Sequence, residues 1–144
     1  MSLETLTTIS PTTNKPVHSV PATSLETLSE LPTLSTQAFT SYRSTSLSDR
    51  QSIVSKALDI LSTKRDDLAR ELTEHMGRPI SYTGVEIDTA VKRGKYLLKI
   101  SGDVLDGKVE GEKEKGFNRY IKRVPVGPVL IIFAWNVSYK LAGP

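Results

Sequence analysis

The residues with the most chemical content lie near the end of the chain, where Trp135 and Asn136 follow an apolar run. Val129, Leu130, Ile131, Ile132 and Phe133 are five consecutive apolar residues behind Pro125-Val126-Gly127-Pro128. The run is too short to span a membrane and shows no helical spacing. A short unbroken apolar run behind Pro and Gly reads as a strand buried on both faces, as in a parallel sheet. In open α/β sheets, ligands bind at the carboxyl ends of strands. The single Trp of the chain and a side-chain amide donor therefore stand where a ligand would stand. Parallel strands are joined by crossovers of a dozen or more residues. Only eight residues follow Asn136, so the strand is expected to lack its parallel partners.

Other residue types exclude chemistry. The 144 residues contain no Cys, which removes disulfides, thiolate zinc sites and a thiol nucleophile. No His or Lys is placed to activate a Ser, so a serine hydrolase is not expected. His75 falls near a helix C-terminus, where a charge–dipole contact accounts for it. His18 falls in a strand and reads as a surface residue. Glu71 and Glu74 share a helix and read as solvated carboxylates, and Glu112, Lys113, Glu114 and Lys115 read as a solvated loop. No metal site is expected. The net charge is +3, with Lys and Arg interleaved among Glu and Asp. That balance argues against a nucleic-acid or membrane-surface partner. No apolar stretch approaches a transmembrane helix, and the N-terminus lacks the regions of a secretory signal. A cytoplasmic location is expected.

The elements that must position Trp135 and Asn136 can be read along the chain. Leu3 to Ile9 and Lys15 to Val20 flank the turn residues Ser10-Pro11-Thr12-Thr13-Asn14, which predicts an N-terminal hairpin. Ser24 is expected to cap a helix carrying Leu25 and Leu28. Pro32 should interrupt it before the pattern resumes through Leu34, Ala38, Phe39 and Tyr42. Ser46 and Asp49 resemble a capping box, and Ile53, Val54, Ala57, Leu58 and Leu61 follow one helical face. A restart at Thr63 places Asp66 and Asp67 in a first turn, where the helix dipole favours them. Leu68, Ala69 and Leu72 continue the apolar face, and Gly77 with Pro79 forms a stop. Thr83 and Glu86 read as a second capping box. Beyond it, Ile87, Ala90, Val91, Gly94, Leu97, Leu98 and Ser101 form one stripe, with Gly94 expected to allow close helix packing. Asp106 to Gly116 reads as a Gly- and charge-rich loop, and Phe117 to Val124 as a strand.

This order of elements, ending in Pro-Val-Gly-Pro-Val-Leu-Ile-Ile-Phe-Ala-Trp-Asn, resembles the N-terminal portion of an aldehyde dehydrogenase. In that superfamily a strand of the form P-V-G-x-V, then apolar residues and P-W-N, opens the cofactor-binding domain. The segment ending in Glu74-His75-Met76-Gly77-Arg78-Pro79 is similar to the family's E-x-G-K/R-P segment, and 116–124 to its oligomerisation strand. The resemblance implies an incomplete α/β fold. Its parts are a hairpin over 1–22, a helical portion over 23–106, a loop and oligomerisation-type strand over 107–124, and the first buried strand of the cofactor-binding sheet over 125–136. It implies that Asn136 donates its amide to the oxyanion of a thiohemiacetal, and that Ile132, Phe133, Ala134 and Trp135 pass along an NAD or NADP cofactor. The family's catalytic Cys and Glu lie downstream of this stretch. The chain is therefore expected to be inactive alone and unable to hold the cofactor by itself. An aldehyde substrate, and a homo-oligomer or full-length homologue as partner, are implied in the same way. Ala134 and Ser138 stand where the family usually has Pro. Residues 137–144 read as a non-family tail, and Val137-Ser138 matches an in-frame splice donor, so translated intron is expected there.

Overall fold

A computed structural model describes residues 4–105, 109–111 and 116–134. Trp135, Asn136, the 137–144 tail and the charged stretch 112–115 lie outside the described residues. Among the described residues, two antiparallel strand pairs and four helices make up the fold.

Strands β1 (Thr5–Ile9) and β2 (Pro16–Pro21) form the predicted N-terminal hairpin, with Thr5 opposite Pro21 and Thr8 opposite His18. The register shifts between Thr8 and Ile9. The turn closes through the Ser10 amide on the Lys15 carbonyl, 2.9 Å, and the Asn14 amide on the Ser10 carbonyl, 2.8 Å. Asn14 takes φ 56°, a left-handed conformation that Asn tolerates better than other side chains.

Helix α1 (Leu25–Tyr42) starts at Ser24, whose hydroxyl accepts the Thr27 amide at 3.1 Å. Contrary to expectation, α1 runs unbroken through Pro32. Proline removes one backbone donor and crowds the preceding turn, but its φ is helical. No residue of α1 is buried, so water can hydrate the carbonyl that Pro32 leaves without a donor.

Helix α2 (Leu47–Thr63) begins at the predicted box. Ser46 Oγ accepts the Asp49 amide at 3.0 Å and donates to the Asp49 carboxylate at 2.7 Å. Helix α3 (Arg65–Met76) follows after Lys64 and ends at Gly77, in the left-handed region at φ 71°. Helix α4 (Ile80–Leu105) is 26 residues long, or about 39 Å at 1.5 Å per residue.

The core lies where α2 and α3 pack against α4, and Leu58, Ala69, Leu72, Ile87, Ala90 and Val91 are its buried apolar side chains. The stripe predicted on α4 faces this core, whereas Ile53 and Ala57 of α2 point to solvent. Gly94 has the predicted role: a Cβ there would sit 2.6 Å from Leu58 Cδ2. The second capping box is not formed. Helix α4 starts earlier, at Ile80, and Thr83 and Glu86 are interior positions, 0% and 1% exposed.

The hairpin seats on the end of α3. Ser10 is buried, and a Cβ on Gly77 would lie 2.8 Å from Pro11 Cγ. Glycine is needed at position 77 for both its positive φ and this close approach. The predicted loop after α4 contains a short strand, β3 (Val109–Glu110), paired antiparallel with β4 (Tyr120–Ile121). The expected strand over 117–124 is thereby reduced to a two-residue ladder.

Candidate functional site

The described part of the predicted site is Ile132, Phe133 and Ala134; Trp135 and Asn136 lie outside the described residues. The expected buried strand is not formed. Residues 122–134 carry no strand, and Val129, Leu130 and Ile132 are 79%, 86% and 86% exposed. A strand buried on both faces needs a neighbour on each side and cover above and below. The described strands form only two isolated antiparallel pairs, so the run has no ladder to join. Its start leans on α1 instead: Gly127, Pro128 and Val129 border an open cleft with Phe39 and Tyr42. Gly127 takes φ 152°, which a side chain would disfavour.

Ile132 and Phe133 are exposed and Ala134 is half-buried. Among the described residues no buried side-chain polar atom lacks a partner, so none waits there for a ribose or phosphate. These described residues offer an apolar edge. No group of three or more His, Asp or Glu among the described residues could hold a metal ion.

The structure also joins residues that the sequence reading kept apart. Arg78, from the Gly77-Arg78-Pro79 segment, donates from Nη1 to Glu86 Oε2 at 2.5 Å, and the Glu86 side chain is fully buried. A buried carboxylate is costly unless paired and hydrogen-bonded. The signal was present in the sequence: Glu86 falls on the apolar stripe of α4, four residues before Ala90. Beside Glu86, the Thr83 hydroxyl donates to the Ile80 carbonyl at 3.1 Å and lies 3.3 Å from the Thr73 hydroxyl. The junction of α3 and α4 is thus pinned by polar contacts beneath the hairpin.

Nearby, Arg65 grips Asp88 with two bonds, Nε to Oδ1 at 2.8 Å and Nη2 to Oδ2 at 2.9 Å, and reaches Asp66 at 2.6 Å. The hydrogen bonds from Arg65 hold the Asp88 carboxyl below its ordinary value, and Asp88 in turn raises the Arg65 guanidinium. His18 and His75, read as unrelated, stack with centroids 6.0 Å apart. That contact joins β2 to the end of α3.

Comparison with known proteins places this architecture. The model of the aldehyde dehydrogenase family matches residues 1–143. The chain belongs to that family. The matched span runs past Asn136 into the tail. A probable NADP-dependent succinate-semialdehyde dehydrogenase from Synechocystis is 27% identical over 135 residues, covering 93% of this chain and 29% of that protein. An NADP-dependent glyceraldehyde-3-phosphate dehydrogenase from Streptococcus equinus is 27% identical over 150 residues, covering 99% of this chain and 31% of that protein. The salicylaldehyde dehydrogenase of Pseudomonas putida G7, solved with salicylaldehyde, superposes with a TM-score of 0.85 at 16% identity over 97% of this chain and 29% of its own. This aldehyde dehydrogenase chain therefore spans less than a third of the relatives it matches, and its α/β fold is their N-terminal part. Among the described residues no helix is long and apolar enough to cross a membrane.

Proposed function

We propose that the chain supplies the N-terminal part of an NAD(P)-dependent aldehyde dehydrogenase, an oxidoreductase that converts an aldehyde to a carboxylic acid. In this reading the chain is inactive alone. The observation that carries it is the family match across residues 1–143 in a chain with no Cys. The thiol that attacks the aldehyde has to come from outside these 144 residues, because no residue here replaces it. The contribution of this chain is the Asn136 side-chain amide, which donates to the oxygen of the attacked carbonyl as negative charge develops there. Such a donor is worth about 3–4 kcal/mol of transition-state stabilisation. Ile132, Phe133, Ala134 and Trp135 border the nicotinamide once the surrounding sheet is supplied. The natural test is oxidation of an aldehyde panel with NAD and with NADP. The purified chain should show none, and turnover by the chain alone would refute the proposal.

A second reading is favoured by the exposure of the last described segment. Phe117, Ile121, Val124, Leu130 and Ile132 are each at least 64% exposed. Exposed apolar runs of this length mark interaction surfaces, and an extended segment can add to a sheet edge. The chain then associates with a full-length dehydrogenase subunit without catalysing. Co-expression with an intact family member tests this: the chain should co-purify, and substituting Ile121 and Ile132 by Asp should abolish the capture.

A further inference from the structure

A second surface feature lies between the start of α2 and the end of α4, where the Arg123 guanidinium donates to the Val104 carbonyl. Leu47 and Val54 of α2 face Leu97, Leu98, Val104 and Leu105 of α4 across an open groove of about 340 Å³. That volume falls in the range of small-molecule pockets, which are mostly apolar with a few placed polar groups. Gln51 and Ser101 tie the two helices together here: Gln51 Nε2 donates to Ser101 Oγ at 2.7 Å, and Ser101 Oγ donates to the Leu98 carbonyl at 2.7 Å. Those bonds are internal, so the pair makes little demand on a ligand.

The remaining charged group is Arg50, a half-buried residue of the lining. Its Nε reaches only the Ser46 carbonyl, at 3.5 Å, and among the described residues no carboxylate pairs with it. A guanidinium presents a fork of donors that matches a carboxylate. From Leu97 to Leu105 the groove follows α4 for about 12 Å, the length of an extended alkyl chain of about ten carbons.

We propose that this groove binds a medium-chain aliphatic carboxylate, with the alkyl chain along α4 and the carboxylate on Arg50. The occupant follows from the lining: an apolar trough accepts the chain, and the unpaired cation selects an anionic head. A neutral alkane or alcohol of equal length would leave Arg50 without a partner. The proposal does not depend on the dehydrogenase reading.

Titration calorimetry of the chain with decanoate, and separately with 1-decanol, tests it. Decanoate should bind saturably at one site. Arg50→Gln should weaken decanoate at least tenfold while leaving any binding of 1-decanol unchanged. Val54→Phe and Leu105→Trp, which fill the groove from its two walls, should each abolish binding. Circular dichroism should show native helicity for the Arg50 and Leu105 variants, whose side chains are not core. Absence of saturable decanoate binding, equal affinity of Arg50→Gln and the parent chain, or undiminished binding by a folded Leu105→Trp would each overturn the proposal.

Discussion

Replacing Arg78 by Met should destabilise the chain far more than replacing Glu86 by Gln. The two side chains form one ion pair but differ in access to water: the Arg78 side chain is 32% exposed and that of Glu86 is 0% exposed. Arg78→Met leaves a carboxylate with no route to solvent and without its cation. Removing one partner of a buried pair costs about 3–5 kcal/mol, and the partial exposure of Arg78 places this case near 3. Glu86→Gln keeps the shape and one acceptor oxygen, and the guanidinium it leaves behind already reaches water. A loss of about 1 kcal/mol is expected, the usual net value of one hydrogen bond. Urea unfolding followed by circular dichroism measures both. With a slope of about 2 kcal/mol per M, Arg78→Met should lower the midpoint by about 1.5 M, and Glu86→Gln by about 0.5 M. The double variant Arg78→Met, Glu86→Leu should recover most of the loss, because apolar replacement of both partners is often neutral. Equal losses for the two single variants, or an Arg78→Met loss below about 1 kcal/mol, would refute the reasoning from asymmetric burial.

Other expectations follow from single contacts. Gly94→Ala should cost about 1–2 kcal/mol by overpacking against Leu58, despite the better helix propensity of Ala, and adding Leu58→Ala should cost less than the sum of the two measured separately. Ser46→Ala should lose about 1 kcal/mol with the α2 cap, read from the same unfolding curves. The carboxyl of Asp88 is held below its ordinary value, about 3.9, by Arg65. Its contribution is therefore complete above that value and lost as pH falls through the lower folded one. Stability measured from pH 5 downward should consequently fall less steeply in Asp88→Asn than in the parent chain.

Features set by neighbours in sequence were legible without a structure. The Ser46 and Asp49 box, the left-handed Gly77 and the α4 stripe from Ile87 to Ser101 depend on contacts within a turn or on helical period. Features set by the tertiary environment were misread. Thr83 and Glu86 have the spacing of a cap, and only the packing of α3 against α4 makes them interior. The pairs Arg65 with Asp88 and His18 with His75 join positions 23 and 57 residues apart, which no local pattern reports. Pro32 sits inside a helix because α1 has no buried residue and its carbonyls can reach water. The run 129–133 has the composition of a buried strand but, among the described residues, no sheet to enter. Composition records the environment for which a segment is suited, and the strand forms only where that environment is present.

The central claim is that this chain carries a working N-terminal part of an aldehyde dehydrogenase, with Asn136 as its catalytic contribution. Fusing residues 1–136 to the remaining portion of the Streptococcus equinus relative, and measuring cofactor-dependent oxidation of glyceraldehyde 3-phosphate, tests it most directly. The account predicts an active chimera whose kcat falls about 10²–10³-fold on Asn136→Ala, the usual loss for one oxyanion donor. A folded chimera without activity, or one whose kcat is unchanged by Asn136→Ala, would contradict it.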